Sequence, residues 1–321
     1  MRIEKEVILA PMAGYTHSAF RRLCRRLGAD RTYSELMNAT GIIYKGEEKE
    51  LAYFTDEERP IHLQIYGRNP EEIAEAARKM AEKYRPEAID INFGCSVKKV
   101  LKAKAAGYLL QFPEEMGRIV SATVEALKPL STPVTAKIRL GFYEDTLEKI
   151  AEELLKAGVS AIALHPRTAK QGFSGKANWE RVKDLKKIAG DVPVIGSGDI
   201  RSWKEIDQKF EETGCDGVMV GRGTLANPWI FKEYKEKRVI KTTLKERIDF
   251  VLEELQLMWE FFERERACKV IKAQIVYLFK GIRGKSKLND RVMRSKSCEE
   301  LIRNLEFLFS IRPAPTSLLR K

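Results

Sequence analysis

Cysteine is scarce in this 321-residue chain, and its five copies stand far apart in the sequence. They are Cys24, Cys95, Cys215, Cys268 and Cys298. None belongs to a CxxC pair and their number is odd, so the spacing argues against a zinc ribbon and against a disulfide framework. We therefore predict reduced thiols and a cytoplasmic location.

Long apolar runs and histidine clusters are also missing. No stretch approaches the roughly 18 to 20 apolar residues that span a bilayer, and the N-terminus carries only a short apolar run. The chain has three histidines, and they show no metal-ligand spacing. The sequence thus predicts no membrane span and no metal site, and it indicates no protein partner.

Acidic residues are fewer than basic residues. Lys and Arg number 58 against 46 Asp and Glu, which gives a net charge of +12. Such an excess favours a polyanionic partner or an anionic cofactor, although a solvated basic surface would give the same balance. Charge alone leaves these interpretations open.

What the chain does contain is a regular alternation of short apolar runs and amphipathic helical segments, up to about residue 235. The runs predict eight strands, at 7–12, 31–36, 60–67, 88–95, 134–141, 161–167, 193–200 and 217–223. A strand and a helix repeated eight times predict an α/β fold, and a closed parallel (β/α)8 TIM barrel more naturally than an open sheet. We assign this barrel to residues 1–238.

After about residue 240 the apolar period is purely helical, which predicts a C-terminal all-α helical-bundle domain at 239–321. Between residues 261 and 296 there are 11 Lys or Arg against 3 Asp or Glu, interleaved with apolar residues at helical spacing. This pattern predicts an apolar core with a basic face toward solvent.

Polar residues and glycines gather where the predicted strands end, and in a barrel those ends share the face that carries the active site. The seventh and eighth strands end in SGDI and GRG. Glycine lets backbone N–H groups approach an anion and arginine adds charge, so these loops predict a phosphate site, with ordinary turns as the alternative. The residues concerned are Ser197, Gly198, Asp199, Gly221 and Arg222.

A second group of residues would suit a planar ring. The first strand ends at Pro11, Met12 and Ala13. Proline restricts the backbone there, and methionine offers a polarizable apolar surface. Gln64 could donate to and accept from the edge of such a ring. Lys137 would be a costly charge inside a barrel unless a reduced flavin or a carboxylate such as Asp90 met it.

Two further strand ends carry reactive side chains. His165 is either a buried core residue or a hydrogen-bond donor to a cofactor, with Arg167 reaching toward substrate or phosphate. Cys95 ends the fourth strand in NFGCS and precedes a lysine-rich loop. A thiol is largely protonated at neutral pH, so Cys95 is either a proton donor or an inert buried thiol, and its place at a strand end favours the donor.

Together these motifs resemble the tRNA-dihydrouridine synthase family. The resemblance covers nearly the whole chain, in the order APMAGYT, LQIYG, DINFGC, KIRLG, HPRTAKQGFSG, GSGDI, GVMVGRG and NPWIF. It implies a barrel that holds FMN, a C-terminal helical domain that helps to bind tRNA, and NADPH or NADH as the reductant. It further implies hydride transfer from reduced FMN to C6 of uracil, with Cys95 giving a proton to C5.

The resemblance also assigns roles to single residues. Those expected to line the flavin are Pro11, Met12 and Ala13. Those expected to bond to its ring are Gln64, Lys137 and His165. Its phosphate end would be held by Ser197, Gly198, Asp199, Gly221 and Arg222. The residues expected near the substrate base are Asn92, Arg139 and Arg167.

The chain departs from the family's pattern at three positions. Ser96 stands where proline is frequent, Ser197 where asparagine is usual, and Gln274 where bacterial relatives often carry histidine. Two other interpretations stay open: a flavin barrel that acts on a small molecule, and a non-catalytic RNA-binding protein. A flavin absorbance band and a salt-dependent shift of tRNA would separate the three.

Overall fold

The structure, a computed structural model, describes residues 1–46, 49–282 and 285–310. The chain divides into two compact units, Met1–Ile240 and Lys241–Lys321. Within the predicted C-terminal domain, residues 283–284 and 311–321 lie outside the described residues, and Arg283 is one of the basic residues counted in the tail.

The first unit is built on a parallel sheet that closes into a barrel. Its strands are β1 (Glu6–Leu9), β2 (Thr32–Tyr33), β3 (Met37–Asn38), β4 (Ile61–Tyr66), β5 (Ala88–Asn92), β6 (Val134–Arg139), β7 (Ala161–His165), β8 (Val194–Ser197) and β9 (Gly217–Val220). Neighbours run in the order β1-β9-β8-β7-β6-β5-β4-β2, and β3 also pairs with β4. A parallel bridge between Ile8 and Arg31 joins β1 to the start of β2. The predicted (β/α)8 barrel is confirmed.

The second predicted strand, 31–36, differs from the prediction because it forms two short pieces, β2 and β3. Between them, the N–H of Gln64 donates to Ser34 Oγ over 2.9 Å instead of to a main-chain carbonyl. A side chain thus replaces one rung of the ladder, and the strand is interrupted there.

Helices link the strands, and most bury an apolar face against the barrel. They are α1 (Ser18–Arg26), α2 (Ala39–Lys45), α3 (Pro70–Tyr84), α4 (Lys98–Lys102), α5 (Pro113–Leu127), α6 (Leu147–Lys156), α7 (Glu180–Ala189), α8 (Trp203–Thr213), α9 (Arg222–Ala226) and α10 (Ile230–Glu236). Short 3-10 helices lie at Asp56–Glu58, Ala106–Gln111 and Lys128–Leu130. Local chemistry fixes their ends: Ser202 and Glu205 form a capping box at the start of α8, and Gly214 ends it in the left-handed conformation.

The barrel interior is partly apolar and partly polar. Alternate residues of a strand face the same side, so every second residue points inward. The apolar part includes Ile8, Tyr33, Ala161, Ala163, Ile195 and Met219. A chain of buried polar side chains, which we call the polar column, consists of Arg31, His62, Thr135, Asp90, Gln64 and Asn92.

The second unit is helical, with α11 (Leu244–Met258), α12 (Arg264–Leu278), α13 (Lys285–Arg294) and α14 (Cys298–Ser310). Thr243 and Glu246 form a capping box that starts α11. Gln274 is buried and its side-chain N–H donates to Glu254 Oε2 over 2.8 Å, so it serves the core of this unit.

The prediction of reduced thiols is wrong for two of the five cysteines, because Cys268 in α12 and Cys298 in α14 form a disulfide. Packing of the two helices brings their Cα atoms to 5.5 Å, a separation that a disulfide spans. The two cysteines are separated by 30 positions in sequence, and nothing in their spacing signalled this proximity. Of the other three cysteines, Cys24 and Cys215 are buried and Cys95 is half-buried.

Candidate active site

The C-terminal ends of β5, β6 and β7 place four predicted site residues in adjacent positions. Asn92 lies beside Lys137 in the sheet, and Arg139 lies beside His165. Burial and, after it, the charges of Lys137 and Arg139 lower the pKa of His165, and both cations also lie within electrostatic range of Cys95. These five residues therefore share one mouth of the barrel.

Cys95 is held at this mouth from two sides. The side-chain oxygen of Asn92 accepts from the backbone N–H groups of Gly94, at 3.0 Å, and Cys95, at 2.9 Å. From the other side, the N–H of Gly107 donates to the carbonyl oxygen of Cys95 over 3.1 Å. A Cβ at position 107 would lie 2.5 Å from that oxygen, so the approach requires glycine.

The polar column supports Asn92 from below. The amide nitrogen of Asn92 donates to Gln64 Oε1 over 2.8 Å, and Gln64 Nε2 donates to Asp90 Oδ2 over 2.7 Å. The other carboxylate oxygen of Asp90 accepts from the hydroxyl of Thr135 at 2.6 Å. Next in the column, Thr135 Oγ1 lies 3.4 Å from Nδ1 of His62. Gln64 is expected from the sequence to meet a flavin ring. In the structure one of its side-chain N–H groups bonds to Asp90, and its carbonyl oxygen accepts from Asn92.

Asp90 is the acceptor on which the column converges. Burial raises its pKa to about 6, although hydrogen bonds from Thr135 and Gln64 and the charge of Lys137 favour the ionised form. The alternative salt bridge between Lys137 and Asp90 is not among the ion pairs of the described residues, and the carboxylate oxygens accept from Gln64 and Thr135 instead. A charged residue in the middle of an inner strand was the only sequence signal of this arrangement.

Cationic side chains crowd the mouth. Burial lowers the pKa of Lys137 to about 8, and the charge of Arg139 adds to the effect. Burial and the charge of Arg167 lower the pKa of Arg139 to about 10. Burial, followed by Lys137 and Arg139, lowers the pKa of His165 to about 2. The charged forms of these groups are all disfavoured, so a bound anion would stabilise them, and the mouth suits a negatively charged ligand.

Arg139 and Arg167, expected near the substrate base, are buried and bonded to loop carbonyls. Arg139 Nε donates to Gly94 O over 2.9 Å, and its Nη1 donates to Gly172 O over 2.8 Å. These bonds join the loop that carries Cys95 to the loop after β7. Arg139 thereby helps to position Cys95, whatever else it contacts.

Arg167 joins the loops after β7 and β8. Its Nη2 donates to Asp199 Oδ2 and to Gly175 O, each over 2.7 Å, and its Nη1 lies 3.2 Å from Nε2 of His165. Because a guanidinium has no acceptor, His165 Nε2 must accept, and the ring proton lies on Nδ1. Hydrogen bonds and the charge of Arg167 outweigh burial and lower the pKa of Asp199.

The two loops predicted to bind phosphate combine unusual backbone with an exposed arginine. Gly198 and Asp199 both have positive φ, at 136° and 58°. The guanidinium of Arg222 lies 3.9 Å from the ring centre of Phe173, a residue that sequence reasoning missed. Ser197 ends β8 beside these groups and is buried. The loops thus offer backbone N–H groups and a cation on one side of the mouth.

The loop after β1 brings Pro11, Met12 and Ala13 to the same side. Thr16 closes this loop, because the N–H of Met12 donates to its hydroxyl over 2.9 Å. A Cβ built at Gly221 would lie 3.6 Å from the sulfur of Met12, so the first and last strand ends are neighbours. Pro11 and Met12 are half-buried and Ala13 is exposed.

Comparison with known proteins identifies the family to which these motifs belong. The sequence model described as Dihydrouridine synthase (Dus) matches residues 8–311. The chain belongs to this family. It is 62% identical over 301 residues to a probable tRNA-dihydrouridine synthase of Aquifex aeolicus, covering 94% of this chain and 95% of the relative. It is 34% identical over 292 residues to tRNA-dihydrouridine synthase B of Pasteurella multocida, covering 88% of this chain and 86% of the relative.

The fold also has a counterpart among solved structures. Morphinone reductase superposes with a TM-score of 0.52 at 13% identity, covering 75% of this chain and 88% of that protein. At such low identity the similarity concerns the barrel alone. Within residues 1–46, 49–282 and 285–310, no group of three or more His, Cys, Asp or Glu is placed to hold a metal ion. No helix in the described part of the chain is long and apolar enough to cross a membrane.

The three buried histidines each contribute a loss of stability in acid. Burial lowers the pKa of His17 to about 3, that of His165 to about 2 and that of His62 well below its ordinary value. Below about pH 6.5 the unfolded chain binds protons at these positions while the folded protein does not, so acid favours unfolding. The raised pKa values of the buried carboxyls of Asp90 and Glu254 oppose this effect. We expect His17 by itself to lower the free energy of unfolding by about 1.4 kcal/mol between pH 7.5 and pH 5.5.

Urea unfolding at several pH values measures this dependence, and His17→Asn is the matched variant. An asparagine at position 17 keeps an acceptor for the N–H of Phe20 at the start of α1 but takes up no proton. The variant should lose about 1.4 kcal/mol less stability than the wild type over the same pH interval. A pH dependence identical to that of the wild type would show that His17 does not titrate as its burial implies.

Proposed function

We propose that this protein is a tRNA-dihydrouridine synthase of the cytoplasm, which uses FMN and NADPH or NADH to reduce the C5–C6 double bond of uridine in tRNA. Membership of the dihydrouridine synthase family over residues 8–311 carries the proposal. The mouth of the barrel supports it, because an accessible thiol and several cations with lowered pKa values lie together there. Such a site suits an anionic cofactor and a proton donor.

Within this proposal, each side chain of the mouth has a defined task. FMN, when bound, supplies the hydride that reaches C6 of the uracil. Lys137 and the Nδ1 proton of His165 would hold its ring, and the loops of Ser197, Gly198, Asp199, Gly221 and Arg222 would hold its phosphate end. The Cys95 thiol gives a proton to C5, and the backbone bonds from Asn92 and Gly107 hold it in place for that transfer.

The substrate base must leave its stack to enter this mouth. A uridine in a loop of folded RNA leaves its stack at the lowest cost, which is why a structured tRNA loop suits the site. Asn92 and Arg139, which bond to the loop that carries Cys95, would meet the base. Arg167, fully enclosed, would act on the base only through His165 and the loop that it holds.

The second unit would add affinity for tRNA through its basic surface. Exposed basic residues lie on α12 and just after it, among them Arg266 and Lys269 on the helix and Lys280 two residues beyond its end. Phosphate contacts of this kind release counterions, so they make binding dependent on salt concentration. Affinity without such a dependence would argue against a phosphate-binding role for this unit.

We expect a double variant, Lys269→Ala with Lys280→Ala, to reduce the salt dependence of tRNA binding. Each lost phosphate contact should lower the slope of log affinity against log salt by roughly 0.7 to 0.9, so the slope should change by up to about two. Filter binding of tRNA over a range of about 50 to 400 mM salt provides the measurement. Lys149→Ala, an exposed lysine of α6, is the control and should leave the slope as it is.

The function itself is tested by incubating unmodified tRNA with the protein and NADPH, then mapping dihydrouridine by mass spectrometry. A flavin absorbance band in the protein and a mass gain of two hydrogens at a uridine are the expected results. A protein that oxidises NADPH against a small-molecule enone but leaves tRNA unchanged would overturn the proposal in favour of a small-molecule reductase.

A further inference from the structure

We propose that Asp90, which touches neither the cofactor loops nor Cys95, sets the hydrogen-bond polarity of the column beneath Cys95 and so acts as a positioning residue for the proton donor. The expected effect on catalysis rests on the proposed function, whereas the hydrogen-bond geometry does not depend on it. It concerns the direction in which each amide of the polar column faces.

The upper part of the polar column consists of Asp90, Gln64 and Asn92, and only one assignment of donors and acceptors satisfies all three. Asp90 is acceptor-only when ionised, so Gln64 must turn its NH2 group toward Asp90 and its oxygen toward Asn92. Asn92 then turns its NH2 group toward Gln64 and its oxygen toward the Cys95 loop. That oxygen is the one that the N–H groups of Gly94 and Cys95 require.

The lower part of the column consists of Arg31, His62 and Thr135, and its hydrogen bonds also point toward Asp90. Arg31 donates to Nε2 of His62, which leaves the ring proton on Nδ1, 3.4 Å from Thr135 Oγ1. The hydroxyl of Thr135 then donates to Asp90. Donors therefore run toward Asp90 from both ends, with Lys137 on β6 and Tyr33 on β2 as further groups within electrostatic range of it. A carboxylate at position 90 can accept from both directions, whereas an amide of the same shape cannot.

The substitution Asp90→Asn would reverse the upper column without changing its shape. The new amide would still accept from Thr135 with its oxygen, but its NH2 group would then face Gln64. Gln64 would turn over to accept, and Asn92 would turn over in response. The NH2 group of Asn92 would now face the N–H groups of Gly94 and Cys95, and the support of the Cys95 loop would be lost.

A second substitution should restore what the first one breaks. In Asp90→Asn with Asn92→Asp, the new carboxylate at position 92 accepts from the reversed Gln64 with one oxygen and from the two loop N–H groups with the other. The double variant keeps the net charge and the side-chain volumes of the wild type. Asn92→Asp alone sets two acceptors against each other in either orientation of Gln64, so it should be defective by itself.

The test measures dihydrouridine formation by the flavin-bound protein in the wild type, both single variants and the double variant. Each single variant should form product about 100-fold more slowly, because a displaced reacting group typically loses that much, and the double variant should be at least about tenfold faster than either. A purely structural Asp90, or an Asn92 that serves only to contact substrate, makes the double variant no faster than the slower single variant. That outcome overturns the proposal.

A readout that does not need the reaction separates this inference from the proposed function. The rate at which iodoacetamide labels Cys95, followed by mass spectrometry of its peptide, should rise about tenfold in each single variant as the loop loosens, and return toward wild type in the double variant. Thr135→Val is the control, because it removes a donor to Asp90 without turning Gln64 over, and labelling should stay within about threefold of wild type. If the wild type makes no dihydrouridine but labelling shows the reciprocal rescue, the proposed function fails and the column's role stands. Equal labelling in all variants overturns the inference itself.

Discussion

Replacing Cys95 by alanine should yield a protein that keeps its flavin absorbance but forms dihydrouridine about 100- to 10,000-fold more slowly, the range expected when a general acid is removed. The backbone of residue 95 is held by Asn92 and Gly107 through main-chain atoms, so the loop should survive loss of the side chain. Rates of product formation under single turnover, with the flavin reduced beforehand, isolate the step that Cys95 serves.

Cys215→Ala is the matched control, because its thiol is free but buried, and its Sγ donates to Gly217 O at the start of β9. It should form dihydrouridine at the wild-type rate. Reduction of the flavin by NADPH should be unaffected in both variants, since neither thiol is needed for that half of the reaction. A Cys95→Ala protein with unchanged yield would remove Cys95 from the role proposed here.

Replacing Arg167 by methionine should have the largest effect on stability and on flavin retention together. The side chain is only 1% exposed, and it donates to Ser174 O, Gly175 O and Asp199. Removing one partner of a buried pair typically costs about 3 to 5 kcal/mol, toward the lower end here because Asp199 is partly exposed. The loops after β7 and β8 would also separate, and we expect FMN to bind at least about tenfold more weakly.

Urea unfolding and flavin fluorescence titration measure the two effects. Arg78→Met is the control, since Arg78 lies on the surface of α3 and pairs with Glu75 and Glu82 one turn away. Surface pairs of this kind contribute little, so neither stability nor flavin binding should change noticeably. A stable Arg167→Met protein that still binds FMN at wild-type strength would show that the two loops hold their places unaided.

The sequence predicted the barrel well because each strand is marked by a short apolar run and each connection by helical spacing. It predicted the position of Cys95, Lys137 and His165 for the same reason: a residue at the end of a parallel strand can only lie at one face. The strand ends were placed too far along the chain, as at 217–223, because apolar and glycine residues continue past Val220 into a turn and into α9.

What the sequence could not give depends on contacts between distant segments. The bond between Cys268 and Cys298 requires the packing of two helices. The enclosure of Arg167 depends on carbonyls of the loop at 174–175 and on Asp199, 32 residues away. The polarity of the column depends on which amide faces which neighbour, and residue types alone do not specify that.

The close packing of Lys137, Arg139 and His165 affects how much of the protein accumulates in the cell. With no anion beside them the charged Lys137 and Arg139 repel each other and His165 is held neutral, so folding and cofactor loading favour each other thermodynamically. A host short of riboflavin should therefore accumulate less of the protein, because chains without bound flavin unfold more often and are degraded sooner by proteases. Expression yield would then track vitamin availability even when transcription is constant.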